Sequence, residues 1–253
     1  MANQDITFSW GLTGRALPSP YDDQLYQPMR VSRRGELCTT PAGEFRKLMA
    51  EQGTYFVAHN ATNDASTTLA GHAAPVLVDA DATMTKPFIH VVNNVASTSL
   101  VRGYLDFIEI EVITAGANGT ADSWATQLDT GTTRITTPGT ALTTENPNMQ
   151  STATPSLAPT GGPIVVGAES ANVRRLAHGQ FRPTIQIAGD KYMFVFGGDV
   201  AAGGATSIAT IAHHLINMPP VILGSADFFM LALYSPSQSA AGVYKVRMGW
   251  WEL

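Results

Sequence analysis

The sequence predicts a mainly β protein, an antiparallel sandwich with an extended N-terminal arm and one short helix. Three observations carry that prediction. Segments with period-two alternation recur from residue 54 to the end, only residues 40–53 show helical spacing, and the first 39 residues are broken by Gly and Pro yet rich in rings.

Residues 1–39 read as an arm. Gly11, Gly14, Pro18, Pro20 and Pro28 exclude a continuous helix or a central strand. Phe8, Trp10, Tyr21 and Tyr26 are too many rings for a disordered tail. Such an arm gains order by laying its rings on something else, either its own domain or a neighbouring subunit. Stretched out, it reaches on the order of 120 Å at about 3.3 Å per residue.

Residues 40–253 read as one β-sandwich domain opened by a helix. Thr40 suits an N-cap, Pro41 the first turn and Gly53 the stop. Phe45, Leu48 and Met49 form one apolar stripe. Strand signals follow at 54–58, 75–79 and 88–93, with turns at 60–64 and at Asn118-Gly119. From Asp106 to Val112 the alternation is clear: Ile108, Ile110 and Val112 face one way, Glu109 and Glu111 the other.

Residues 129–163, rich in Thr, Pro, Gly and Ala, read as a long surface loop that contributes no core. Beyond it, strands are expected at 164–166, 181–187 and 191–196, with Gly189-Asp190 as a hairpin turn between the last two. Tyr192, Phe194 and Phe196 share a face. Strands at 228–234 and 243–251 complete the set, the last placing Tyr244, Val246, Met248 and Trp250 together. Eight to ten strands with long connections suit a two-sheet jelly roll better than an up-and-down barrel.

Composition narrows the function. Charged residues are 14% of the 253, against about 25% in an average soluble domain, so surface is expected to be covered by partners or absorbed in a large core. A net charge of −5 argues against a nucleic-acid lining. Arg30, Arg33 and Arg34, like Arg174 and Arg175, read as inter-strand or inter-subunit ion pairs. The single Cys38 excludes an internal disulfide framework. With no apolar run long enough to span a bilayer and no secretory leader in the first ten residues, a protein made in the cytoplasm and not held in a membrane is expected.

Chemistry is not signalled. No phosphate-binding loop, zinc-protease helix, nucleophile elbow or CxxC pair occurs. His213 and His214, being adjacent, point to opposite faces of a strand and cannot chelate together. Asp79 and Asp81 lack further acidic neighbours, and Glu109 and Glu111 are the wet face of a strand. No catalytic, cofactor-binding or metal-binding residue is therefore assigned. Trp250 and Trp251 also point oppositely, so that one can leave the core, and large aromatics are favoured at interface centres.

Three stretches carry a resemblance: Arg30-Val31-Ser32-Arg33-Arg34-Gly35-Glu36-Leu37, Gln52 to Asn60, and Gly189-Asp190-Lys191-Tyr192-Met193-Phe194-Val195-Phe196-Gly197-Gly198. In this order, behind an aromatic arm, they resemble virion structural proteins of tailed bacteriophages, among them jelly-roll cement or decoration proteins. The resemblance implies a non-enzymatic homotrimer on the capsid exterior, bound to the major capsid protein and without direct nucleic-acid contact. It implies an assembly interface of Phe8, Trp10, Tyr21, Tyr26, Arg30, Arg33, Arg34, Trp250 and Trp251. Two alternatives stand beside it: a receptor- or glycan-binding head-fibre or tail module of the same fold, and an unrecognised hydrolase.

Overall fold

A computed structural model describes residues 30–31, 37–38, 45–60, 68–73, 84–96, 99–117, 123–131, 134–181, 186–197, 213–234 and 238–253. The chain divides into two compact units, Met1–Leu48 and Met49–Leu253. The first contains β1 (Arg30–Val31) and β2 (Leu37–Cys38), an antiparallel pair with Arg30 opposite Cys38. The expected strand at 75–79 and the Asn118-Gly119 turn lie outside the described residues.

Helix α1 (Phe45–Glu51) ends where glycine was expected to end it, while the expected cap and first turn at Thr40 and Pro41 lie outside the described residues. Gly53 has φ +72°; its N–H donates to Ala50 O, and the Thr54 N–H reaches Met49 O, both at 3.0 Å. That pair of bonds is a Schellman cap. A Cβ on Gly53 would also lie 2.3 Å from Ser151 Oγ. Gly53→Ala should therefore cost about 1–2 kcal/mol, read as a melting temperature lowered by several degrees; an unchanged melting curve would contradict the cap.

The second unit holds β3 (Tyr55–His59), β4 (Leu69–Ala70), β5 (Ile89–Asn93), β6 (Gly103–Thr114) and β7 (Ser123–Thr130). Next come β8 (Ile135–Thr137), β9 (Thr140–Ala141), β10 (Thr143–Glu145), β11 (Leu157–Gly161), β12 (Val165–Val166) and β13 (Arg174–Gln180). The chain continues through β14 (Lys191–Phe196), β15 (His213–Met218), β16 (Ile222–Leu223), β17 (Asp227–Tyr234) and β18 (Val243–Glu252).

Eight of these strands form the frame. One sheet has the order β3-β18-β6-β14 and the other β5-β17-β7-β13, all neighbours antiparallel. Numbered along the chain, the eight frame strands run 1-8-3-6 in one sheet and 2-7-4-5 in the other. Strand 1 pairs with 8, 2 with 7, 3 with 6 and 4 with 5, as when one long antiparallel ribbon folds over on itself. This is jelly-roll topology. The first sheet is widened by β10 beside β3 and by β15, which runs parallel to β14; the second is widened by β11 and β9.

The alternation read from the sequence decides which residues enter the sandwich. Ile108, Ile110 and Val112, then Tyr192, Phe194 and Phe196, then Tyr244, Val246, Met248 and Trp250 all face inward from the first sheet. Ile89, Val91, Trp124, Phe229, Leu231 and Leu233 meet them from the second. The rings interlock edge to face, Trp124 on Phe194 at 5.2 Å and Phe196 on Phe229 at 5.4 Å, so aromatic side chains fill the interior.

Two expectations are corrected. Residues 129–163 are not one long surface loop: the segment contains β8 to β11, and Leu142 and Leu157 are in the core. It crosses from the edge of one sheet to the edge of the other, since β10 pairs with β3 and β11 with β5. Beyond it, Ile164 and Val166 pack with Val92, Phe228 and Met230 against the outer side of the second sheet. Side-chain-to-backbone bonds and a few scattered apolar residues order a composition that looks unfoldable. Most of the strand expected at 181–187 lies outside the described residues; ahead of it, unexpected from the sequence, β13 is a polar edge strand with exposed Arg174, Arg175, His178 and Gln180. Gly189 does make a turn, at φ +94°, but β14 pairs with β6 and β15, so no hairpin follows from it.

Candidate functional site

Of the nine residues expected at an interface, Phe8, Trp10, Tyr21, Tyr26, Arg33 and Arg34 lie outside the described residues, and Arg30 is described only through its place in β1. The two tryptophans part as alternation requires. Trp250 is wholly buried, stacks on Phe56 at 5.9 Å and donates Nε1–H to Glu252 Oε1 at 2.9 Å. It is a core residue with no surface to offer a partner, which corrects its expected place at an interface. Trp251 leaves on the other face, half-buried and parallel to Tyr104 at 5.9 Å with 6° between the rings.

That outer face of the first sheet has two chemistries. Toward one end lie Tyr104, Trp251, Tyr55 and Phe107. Gly249 is required between the last two, because a Cβ there would stand 2.4 Å from the Tyr55 hydroxyl and 2.6 Å from the Phe107 ring. Tyr55 donates to Asp106 Oδ2 at 2.7 Å. Toward the other end the strands carry ion pairs: Arg247 meets Glu109 at 2.8 Å while lying over Phe107, and Lys191 meets Glu111 at 3.5 Å. Exposed pairs of this kind contribute about 0–1 kcal/mol each and set register more than stability.

The outer side of the second sheet carries a buried polar network that composition did not reveal. Asp129 and Arg134 are both buried and paired; Ser170 donates to Asp129 through hydroxyl and backbone N–H, and Arg134 donates to Gly167 O and Met84 O. Burial pushes the Asp129 carboxyl upward, but bonds from Ser170 and Thr130 and the Arg134 charge outweigh it, leaving the carboxyl below its ordinary range. Beside it Glu169 accepts from Gln127 and pairs with Arg175 at 2.8 Å. The network fastens residues 134–170 to the sheet.

His90, on the same side, is fully buried with its ring 5.1 Å from Phe228. Neither ring nitrogen has a partner among the described residues, and burial pushes its pKa down to about 4. His214 lies flat on Tyr192 at 5.3 Å. Among the described residues no three His, Cys, Asp or Glu side chains gather as metal ligands, and no helix is long and apolar enough to cross a membrane.

Two spaces remain. One, of about 10 Å³ between His72, Phe88, Gln186 and Tyr244, has room for a single water. The other is a cleft of about 500 Å³ lined by Leu128, Asp129, Asn172, Val173, Ile222 and Asp227 among others. Ile222 on its rim is 46% exposed, and two larger exposures stand in loops, Leu100 at 83% and Met149 at 98%. None of these three was singled out by sequence reasoning. The paired asparagines around Met149 mark a turn, but exposure depends on the fold. No family model matches the chain, and no curated protein or solved structure matches it.

Proposed function

We propose that the chain is a non-enzymatic structural protein of a virus particle, a jelly roll that binds the exterior of a tailed-phage capsid and stabilises it. The observation that carries this reading is the filled interior. Jelly rolls serve both as cups for ligands and as building blocks of capsids. Here the space where a cup would hold its ligand is occupied by Trp124, Phe194, Phe196, Phe229 and Trp250. Rings are offered outward instead, by Tyr104 and Trp251 on the first sheet. The low charge, the aromatic arm and the phage-like stretches support the same role, with the major capsid protein and further copies of the chain, as a homotrimer, for partners. Because fold alone does not assign function, the binding step must be tested directly.

In that test, particles stripped of the chain rebind the intact protein but not a version lacking residues 1–39, whose circular dichroism still reports the sandwich. Equal binding by the truncated protein removes the arm from the mechanism. Failure of the intact protein to bind removes the reading itself.

A further inference from the structure

Two crossings of the chain roof the outer side of the second sheet. Residues 134–137 lead from β7 to β9, and residues 162–170 return from β11 toward β13. They join through the short β12–β8 pair, whose register is broken between Val165 and Val166. With Met84, their Ile135, Ile164 and Val166 cover Val92, Phe228 and Met230. At the β7 end charges hold the roof down: Arg134 and Ser170 bond to Asp129, and Glu169 bonds to Gln127 and Arg175.

His90 lies under this roof on β5, two strands away from β7, about 10 Å at the usual strand spacing. Thr160 of β11 and Met230 of β17 stand directly opposite it, and its ring leans on Phe228. No element packed against the ring turns a charge toward it. β11 presents Ala158 and Thr160, β17 presents Phe228 and Met230, and the roof presents Ile164 and Val166. The described titratable groups of this face are Asp129, Arg134 and Glu169 at the β7 end, with Arg175 and His178 on β13 beyond them. Lys86 and His72 stand ahead of β5, His72 within 3.2 Å of Pro87 O. Both nitrogens of His90 lack a partner among the described residues, as does Gln127 Oε1 on the same face. The site suits a neutral ring and offers no acceptor to a charged one; burial alone holds the pKa at about 4.

Proton uptake by this ring favours every state in which water reaches it, and each by the same amount. The state that forms is the one lowest in free energy. Wetting His90 requires only that the roof lift, because the ring points away from the main interior, where the sheets stay closed on Trp124, Phe194 and Phe229. The roof is a light closure: β8 has three residues and β12 two, and Ile135 and Val165 are only half-buried. Short elements with few buried apolar contacts open well below the free energy of global unfolding. We propose that residues 134–137 and 162–170 form an acid-opened cover: once His90 carries a proton, the roof lifts from β5 and β17 and bares Val92, Phe228 and Met230, while the jelly roll stays folded. Gln127 Oε1 gains water in the same step. The Asp129–Arg134 pair keeps the β7 end fastened, because the Asp129 carboxyl ionises below the ordinary range. The cover works in this way whether or not the chain belongs to a capsid.

Hydrogen–deuterium exchange of the intact chain tests it, read by mass spectrometry at pH 7 and about pH 4.5 and corrected for the intrinsic pH dependence of exchange. Peptides spanning 134–137 and 162–170 are expected to lose protection by roughly fiftyfold on acidification, while those of β6, β14 and β18 keep theirs. In His90→Leu, which has no ring to protonate, the roof should stay protected at both values. Should that variant fail to fold, His90→Asn gives the same readout. Protection lost evenly over the roof and both sheets overturns the cover, as does an acid response undiminished in the histidine variants. A wild-type roof equally protected at both values overturns it too.

Discussion

Replacing Arg134 with alanine is expected to destabilise the sandwich by about 3–5 kcal/mol. The guanidinium is nearly inaccessible and pairs with an equally buried Asp129, so its loss leaves a carboxylate in the interior without its cation. Two carbonyls, Gly167 O and Met84 O, lose their donor in the same step. The urea midpoint should fall with little change in slope, because the mutation alters stability and not the surface exposed on unfolding. Replacing both partners together, Asp129→Leu with Arg134→Leu, should recover much of the loss, since no uncompensated charge then remains. A single variant as stable as the wild type would mean that the network does not hold residues 134–170 in place.

Acidification is expected to weaken the fold through His90. Its pKa is pushed down by burial to about 4 from an ordinary 6.5, so the folded state prefers the neutral ring. The sign follows: the full stability is present above the unfolded value, and it is lost as pH falls from about 6.5 toward 4, by about 3 kcal/mol in all. His72, lowered mainly by its own burial, acts in the same direction. Asp129 contributes in a lower window, below the ordinary carboxylate value, so the two effects separate on the pH axis. Comparing wild type with His90→Leu at pH 7 and pH 4 isolates the histidine. The variant should lose less stability on acidification by roughly the amount given; parallel losses would show that the ring is not buried and neutral.

The parts of the fold legible in the sequence are those set by local alternation. Ile108 to Val112, Tyr192 to Phe196 and Tyr244 to Trp250 read directly, because a half-buried antiparallel strand must place every second side chain in the core. The same rule separated Trp250 from Trp251. The polar strand at 174–180 did not read, because an edge strand needs only one neighbour and little apolar surface. Residues 134–167 did not read either. Their order comes from Arg134, Asn146, Asn148 and Ser170 bonding to distant backbone and carboxylates, and that depends on positions fixed only once the chain has folded. The parallel pairing of β15 and the exposure of Met149 are likewise products of long-range register.

Whether the chain is a building block of a particle is decided most directly by quantitative mass spectrometry of virus particles purified from the host that carries its gene. The chain should be present in a fixed ratio to the major shell protein, close to an integer number of copies per capsid site. Particles that are complete and infectious without it would contradict the role proposed for this jelly roll.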